Sequence, residues 1–360
     1  MNSADLAGDP AQKMERLGNL DVLRALAALA VCFFHFSGTG FTPDSWVGEV
    51  FGFGYLGVDV FFVISGFIIP LSLFKASHEA VDGPRFILRR FLRLYPAYFC
   101  AGLLMIGLWY ASSWLPGFRG QQPSFSPGLL FANATLTSGF LGYEWLIPVF
   151  WTLAIEVQYY LLLVLFYPWL AHRKKTVAVA TLMVWLALAF VPWGSASAFS
   201  FCALFGMGII LFLHQRRILG SIAFMVFELT AFSIQLMCGG LASAVAGLFA
   251  VLFIAYARPI RIRWLSFVGV ISYSLYLLHV PIGGRVMNLA TRLTDAGALR
   301  IAAMLVALAV SVAVAWGFYR WIEYPSHKLS GRFNKRPSSR KPVPVSIDVL
   351  VSGEKPSSMP

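Results

Sequence analysis

The sequence predicts an all-α polytopic membrane protein: about ten transmembrane helices in one bundle, with both termini cytoplasmic. Three observations carry that expectation. The 360 residues are 58% hydrophobic and only 12% charged, with a mean hydropathy of +0.73, far from soluble globular usage. Apolar runs of spanning length recur along the whole chain. The basic residues, finally, are distributed with a strong side-to-side bias.

The first run, Leu20 to Gly38, reads LDVLRALAALAVCFFHFSG. Residues 1–19 are too polar for a signal peptide, so this span is expected to be retained. Further runs follow at about 55–74, 97–115, 152–171, 176–193, 196–213, 219–237, 239–256, 264–283 and 299–321. The links near 194 and 238 are the weakest boundaries. Residues 20–329 thus form one transmembrane domain, and the Pro-, Ser- and Lys-rich segment 330–360 reads as a disordered basic tail.

Orientation follows from charge. With the N-terminus inside, all but five of the 28 Lys and Arg residues fall in cytoplasmic segments. Arg119, Arg285, Arg292 and Arg300 fall outside, and Arg24 lies in the first span. Membrane topology therefore accounts for the net charge of +12 without nucleic acid. The cysteines Cys32, Cys100, Cys202 and Cys238 show no metal or disulfide spacing.

Ionisable groups inside spans are the candidates for chemistry. Arg24 and His35 are eleven positions apart, about three helical turns and about 16 Å on one stripe. Ala28 and Val31 between them are small enough to leave a groove. The plainer readings are a snorkelling Arg24 and a hydrogen-bonded helix-end His35. Given the orientation, Asp59, Glu156, His35 and His279 are expected in the outer half of the bundle. A carboxylate beside His35 would fix its tautomer for general-base work; simple solvation at the interface is the alternative. Ser272, Tyr276 and His279 share one helical stripe. Residues 84–96, PRFILRRFLRLYP, predict a cytoplasmic helix that Pro96 ends or redirects. Its Arg85, Arg89, Arg90 and Arg93 suit phosphate, bidentately, or anionic headgroups. Glu323 is placed to pair with Arg24 or with these arginines.

Taken together, Arg24 with ten residues to His35, GVDVFFVISGF at 57–67, RRFLRLYPAY at 89–98, WTLAIEVQYYL at 151–161, SYSLYLLHVPI at 272–282 and IEYPSHKL at 322–329 resemble the ordered blocks of the membrane acyltransferase family 3. The resemblance covers nearly the whole bundle. It implies a multi-pass enzyme of the bacterial plasma membrane, with acetyl-CoA as donor and no metal. It implies transfer to hydroxyls of surface glycans such as exopolysaccharide or lipopolysaccharide. It assigns His35 and its partner Arg24 to catalysis and Arg90 with Arg93 to the donor. Glu156 is followed by Val157 where the family often has a second acid. The chain looks like a stand-alone member, without the appended esterase-like domain of some members.

The resulting expectation has Arg90 and Arg93, flanked by Arg89 and Glu323, holding the coenzyme phosphates. The pantetheine threads the Arg24–His35 groove, and His35 acts as general base with Asp59 or Glu156 orienting it. An acyl-His35 intermediate is an alternative route. Ser65, Tyr159, Tyr273 and His279 are the oxyanion and substrate candidates. Partners are acyl-CoA, a glycan or glycolipid acceptor, membrane lipids and at most a second copy of the chain. A proton-coupled exporter, or acylation of a secreted macrolide or lipo-oligosaccharide, are the rival functions; no Gly/Pro-interrupted segment recurs in the two halves to favour a carrier. Reporter fusions test the topology: those at Gly40, Gly120 and Gly297 are expected to report outside, and those at His78, Lys174 and Arg217 inside. A cytoplasmic signal at Gly120 would overturn it.

Overall fold

The computed structural model describes residues 10–76, 83–114, 123–172 and 174–333, with backbone alone for 10–18, 75 and 76. Most of the expected N-terminal segment, Arg119, Arg173 and nearly all of the basic tail lie outside the described side chains. The described residues are helical, without strands.

The elements in order are α1 (Pro10–Gly40), α2 (Trp46–Gly52), α3 (Leu56–Ala76), α4 (Gly83–Ser113), α5 (Pro127–Ala134), α6 (Ser138–Leu141), α7 (Phe150–Leu170), α8 (Lys175–Ala187), α9 (Cys202–Gln215) and α10 (Ser221–Tyr256). There follow α11 (Arg263–Val270), α12 (Ser272–Leu278), a π-helical turn (His279–Gly283), α13 (Gly284–Leu293), α14 (Gly297–Phe318) and α15 (Tyr324–Arg332). Seven helical stretches are long and apolar enough to cross a membrane, or eight if the pair Arg263–Val270 and Ser272–Leu293, bent by 63°, counts as one span. The expected span 176–193 falls on a shorter apolar helix, Lys175–Phe190. The two expected at 219–237 and 239–256 fall on α10.

Gly240 divides α10, with φ at +83°, a left-handed conformation that glycine adopts without a Cβ clash. A straight helix of 36 residues would reach about 54 Å. Yet Ser221 and Tyr256, its two ends, line one cavity. The segment therefore doubles back at Gly240, at the weak boundary seen near residue 238.

Pro96 neither ends nor redirects its helix, contrary to expectation: α4 runs through it from Gly83 to Ser113. Within a membrane bundle, neighbouring groups re-satisfy the carbonyl that a proline leaves without a donor. The arginine-bearing segment and the third span are one continuous rod.

Helices α3 and α9 cross at their backbones. A Cβ on Gly208 would run into the main chain of Val63, Gly66 and Phe67, and one on Gly66 into that of Phe205. Small residues permit such crossings where lipid removes the hydrophobic drive for association. Around the crossing pack Phe62, Phe205, Phe201 and Tyr159; the rings of Tyr159 and Phe205 stack at 4.0 Å.

The two ends of the bundle differ in charge. Arg216 lies over the Phe74 ring at 3.4 Å, Arg85 bonds Phe333 O at 2.6 Å, and Asn19 ties α1 to the carbonyls of Ala257 and Arg258. All of these belong to the Arg24 end. Arg300 bonds Gly40 O at 3.1 Å and Arg285 bonds Pro281 O at 2.6 Å, both at the His35 end. Basic side chains are thus anchored to backbone or rings at both ends of the bundle.

Gly208→Val is expected to lower stability by about 1–3 kcal/mol, the range for overpacking a filled core. Thermal unfolding in detergent measures this; an unchanged midpoint would show that the crossing tolerates separation.

Candidate active site

A cavity of about 420 Å³ opens between α1, α3, α4, α7, α12 and the start of α15. Arg24, Arg90, Arg93, Glu156, Glu323 and Ser65 all line it. Arg90 and Arg93, three residues apart on the first half of α4, share one face, and both line the cavity. Arg90 is held firmly: its guanidinium donates to Ser72 Oγ at 3.0 Å and lies 5.4 Å from the Phe86 ring centre and 5.5 Å from that of Tyr160. Arg24 has Asp21 as its near acid, at 3.8 Å. Arg93 forms no hydrogen bond or ion pair among the described residues and faces the cavity. Arg89 is not part of the lining.

Glu156 ties three parts of this wall together. It accepts a hydrogen bond from Ser65 Oγ of α3 at 3.4 Å and one from the Tyr160 hydroxyl of its own helix. Tyr160 in turn lies beneath Arg90. Glu323 accepts from Ser274 Oγ at 2.5 Å; the expected ion pair with an arginine is not formed, although Arg24 and Arg93 share its cavity.

Val58, Phe61, Thr152 and Tyr276 also line the cavity. Thr152 and Tyr276 bond through their hydroxyls at 2.9 Å, and Phe61 meets the Tyr276 ring edge-on at 5.9 Å. Beyond this layer stand the histidines. The His279 ring is 5.8 Å from that of Tyr276 and 5.1 Å from that of His35, tilted by 50°. Both histidines are absent from the cavity lining.

Several expectations are corrected here. The groove along Ala28 and Val31 is closed: both are 1% exposed, Val31 because α3 brings Gly57 against it and Ala28 because it packs in the cluster with Leu265, Leu275 and Ala307. Glu156 sits with Arg24 and Arg90 rather than with the histidines; a bond to Ser65, two turns past Asp59, draws it towards the arginines. Asp59 faces away from α1. It accepts from Ser243 Oγ of α10 at 2.6 Å, and Ser243 accepts from Gln235 at 2.8 Å, which braces the Gly240 reversal. Neither carboxylate therefore stands beside His35. The Tyr159 hydroxyl is turned to Ser65 O at 3.4 Å within the aromatic core, and that of Tyr273 donates to Leu94 O at 2.9 Å. Ser65 is in the cavity, on Glu156. Ser65 and Tyr273 both line the cavity, with their hydroxyls engaged by Glu156 and Leu94 O.

Sequence reasoning missed Tyr160, Thr152, Ser72 and His327, all but Ser72 part of the lining. Their signal was available in one respect: Thr152, Glu156 and Tyr160 repeat every four residues on one face of α7.

Helices long and apolar enough to cross a membrane, with arginines and carboxylates gathered on an interior cavity, define a polytopic membrane protein with a polar interior. The chain matches the family described as Acyltransferase domain over residues 17–320 and belongs to it, as a membrane acyltransferase family 3 member. It is 26% identical over 360 residues to the peptidoglycan O-acetyltransferase OatA of Listeria monocytogenes, covering 86% of this chain and 56% of that protein. Nodulation protein 10 of Rhizobium leguminosarum bv. viciae is 28% identical over 232 residues, 56% of this chain and 60% of that one. The O-acetyltransferase OatA of Staphylococcus aureus is 31% identical over 168 residues, 44% of this chain and 26% of that one. The chain spans about half the length of the first of these and less of the last. No solved structure matches it.

The geometry gives Asp59 a bracing role. Ser243→Ala is expected to lower the stability measured by thermal unfolding in detergent by about 1–2 kcal/mol, the range for interhelical hydrogen bonds in membranes. Asp59→Asn, which keeps an acceptor for Ser243, should stay within that margin. A larger loss for Asp59→Asn than for Ser243→Ala would mean that Asp59 has a further task.

Proposed function

We propose that the chain transfers a short acyl group, acetyl by preference, from acyl-CoA to a hydroxyl of a cell-envelope glycan. The observation that carries this is the continuity of the arginine cavity with the layer that touches the histidines. One wall group, Tyr276, lines the cavity and also abuts His279. A ligand with phosphates at one end and a reactive group at the other fits that layout. The names of the OatA relatives, O-acetyltransferases and in Listeria a peptidoglycan O-acetyltransferase, support the acceptor class.

In this reading the Arg24 end faces the cytoplasm of a bacterial plasma membrane, where acyl-CoA is found. Arg93, with Arg24 and the remaining N–H groups of Arg90, takes the phosphates; guanidinium forks bind phosphate bidentately. Glu156 and Glu323, each engaged by a hydroxyl, keep the wall polar without neutralising all three cations. The pantetheine arm runs past Ser65 towards Tyr276. The Tyr276 and Phe61 rings swing aside to admit the thioester to His35. There His35 removes the proton of the acceptor hydroxyl as its oxygen attacks the thioester carbon. The C–O bond forms, the C–S bond breaks, and His35 returns the proton to the departing sulfur. Closed rings between turnovers keep the cavity from becoming an open path across the membrane.

Thiol release from acetyl-CoA with a glycan acceptor present, purified protein in nanodiscs, tests the reading. His35→Ala is expected to lower the rate on the order of 10²–10⁴-fold, the contribution of a general base, with acetyl-CoA binding retained. Arg93→Ala is expected to weaken acetyl-CoA binding by about 1.5–3 kcal/mol, the range for charged hydrogen bonds, with Arg93→Lys restoring it in part. Equal release by parent and His35→Ala would remove His35 from the mechanism. Substrate flux across proteoliposomes without thiol release would establish a carrier instead.

A further inference from the structure

We propose that His279 is the positioning residue for His35: an imidazole that holds the base in one tautomer, where a carboxylate more often serves. This rests on the acyl-transfer reading above, and adds to it a group that selects the nitrogen with which His35 acts.

His279 carries its hydrogen on Nδ1. The ring is 0% exposed and sits on the π-helical turn at the end of α12. Its Nδ1 lies 2.7 Å from Tyr276 O and 3.3 Å from Leu275 O. A carbonyl oxygen has no hydrogen to give, so Nδ1 is the donor. In the neutral ring Nε2 is then a bare lone pair. It is an acceptor and cannot donate to an oxyanion, the role the sequence reading had offered.

That lone pair has no partner: Nε2 is fully buried with no hydrogen bond. An orphaned buried acceptor carries a desolvation cost, and native structures retain few of them. The backbone aims it deliberately. Gly284 N–H bonds His279 O, five residues back, and this wider turn rotates residues 279–283 relative to a regular helix. Pro281 within the turn has no N–H to complete a regular ladder.

The nearest imidazole to this ring is His35, the two ring centres 5.1 Å apart and tilted by 50°, a separation at which two imidazoles share one edge-to-edge hydrogen bond after rotation. His35 is the half-exposed member of the pair and has the freedom to make that rotation. Carboxylates that would compete for the role are engaged elsewhere, Asp59 on Ser243 and Glu156 on Ser65 and Tyr160. When His35 donates its N–H to His279 Nε2, its other nitrogen is left unprotonated. That nitrogen takes the proton from the acceptor hydroxyl. As the C–O bond forms and the C–S bond breaks, it passes the same proton to the sulfur. The N–H to His279 persists throughout, and the Tyr276 carbonyl at the far side of His279 faces the transient positive charge.

Three substitutions separate positioning from packing. A glutamine amide occupies roughly the place of Nε2 and offers an oxygen there. An asparagine amide occupies that of Nδ1 and keeps only the backbone bond. Leucine keeps neither. His279→Gln is expected to remain within about tenfold of the parent rate of thiol release, and His279→Asn and His279→Leu to fall on the order of 10²-fold, within the range for acid–base groups. Acetyl-CoA binding should be unchanged in all three. A second readout does not depend on turnover: nitrogen NMR of histidine-labelled protein, at a pH where both rings are neutral. His35 is expected in one tautomer in the parent and in His279→Gln, and in a mixture in His279→Asn and His279→Leu. A mixed His35 in the parent, or asparagine matching glutamine in both readouts, overturns the proposal. A parent that releases no thiol yet shows a single His35 tautomer, lost in His279→Leu, would overturn the acyl-transfer reading and leave the pairing standing.

Discussion

Glu156 is where the interior of the bundle is tied together, accepting Ser65 from α3 and Tyr160 from its own helix while Arg90 of α4 rests on the Tyr160 ring. Lipid offers no water to satisfy polar groups, so an ionisable side chain in a span must find its partners on neighbouring helices. That requirement draws α3, α4 and α7 into mutual contact at one depth and leaves a polar cavity where they meet. The close crossing of α3 and α9 at Gly66 and Gly208 sets α3 in place, and the Asp59–Ser243 bond braces its opposite face. One helix therefore carries a brace outward and a cavity wall inward.

The site has two parts with different chemistry. The arginine part is a cavity of about 420 Å³ rich in charge; in the histidine part the His35 and His279 rings lie 5.1 Å apart. Tyr276 belongs to both, through Thr152 on one side and His279 on the other. Such a division suits a transfer reaction whose two substrates come from opposite faces. In the proposed reaction, binding energy gathered at the donor phosphates would be spent on moving the Tyr276 layer, a use of remote contacts that raises turnover rather than affinity alone.

The basic segments face one end of the bundle and Arg285 and Arg300 the other. Arg300 is bonded to Gly40 O at the end of α1 and Arg285 to Pro281 O in the π-helical turn, so these two also tie down backbone near the histidines.

By itself the sequence determined the class of protein, most element positions and the residues of interest. Apolar runs of spanning length admit no other fold class in water or lipid, and the charge bias followed from local composition. Arg24, Arg90, Arg93 and Glu323 were legible because an ionisable group in or beside a span needs a reason to be there. What only the tertiary structure decided is which of these meet. Helical periodicity fixes the face of a residue on its own rod but not the rotation of that rod against its neighbours. So Asp59 turned to α10, Glu156 joined the arginines, Val31 was covered by α3 and Ala28 by α11, α12 and α14. Pro96, a helix terminator by local chemistry, lies inside a continuous α4. The orphaned nitrogen of His279 was invisible for the same reason: a lone pair lacks a partner only relative to everything packed around it.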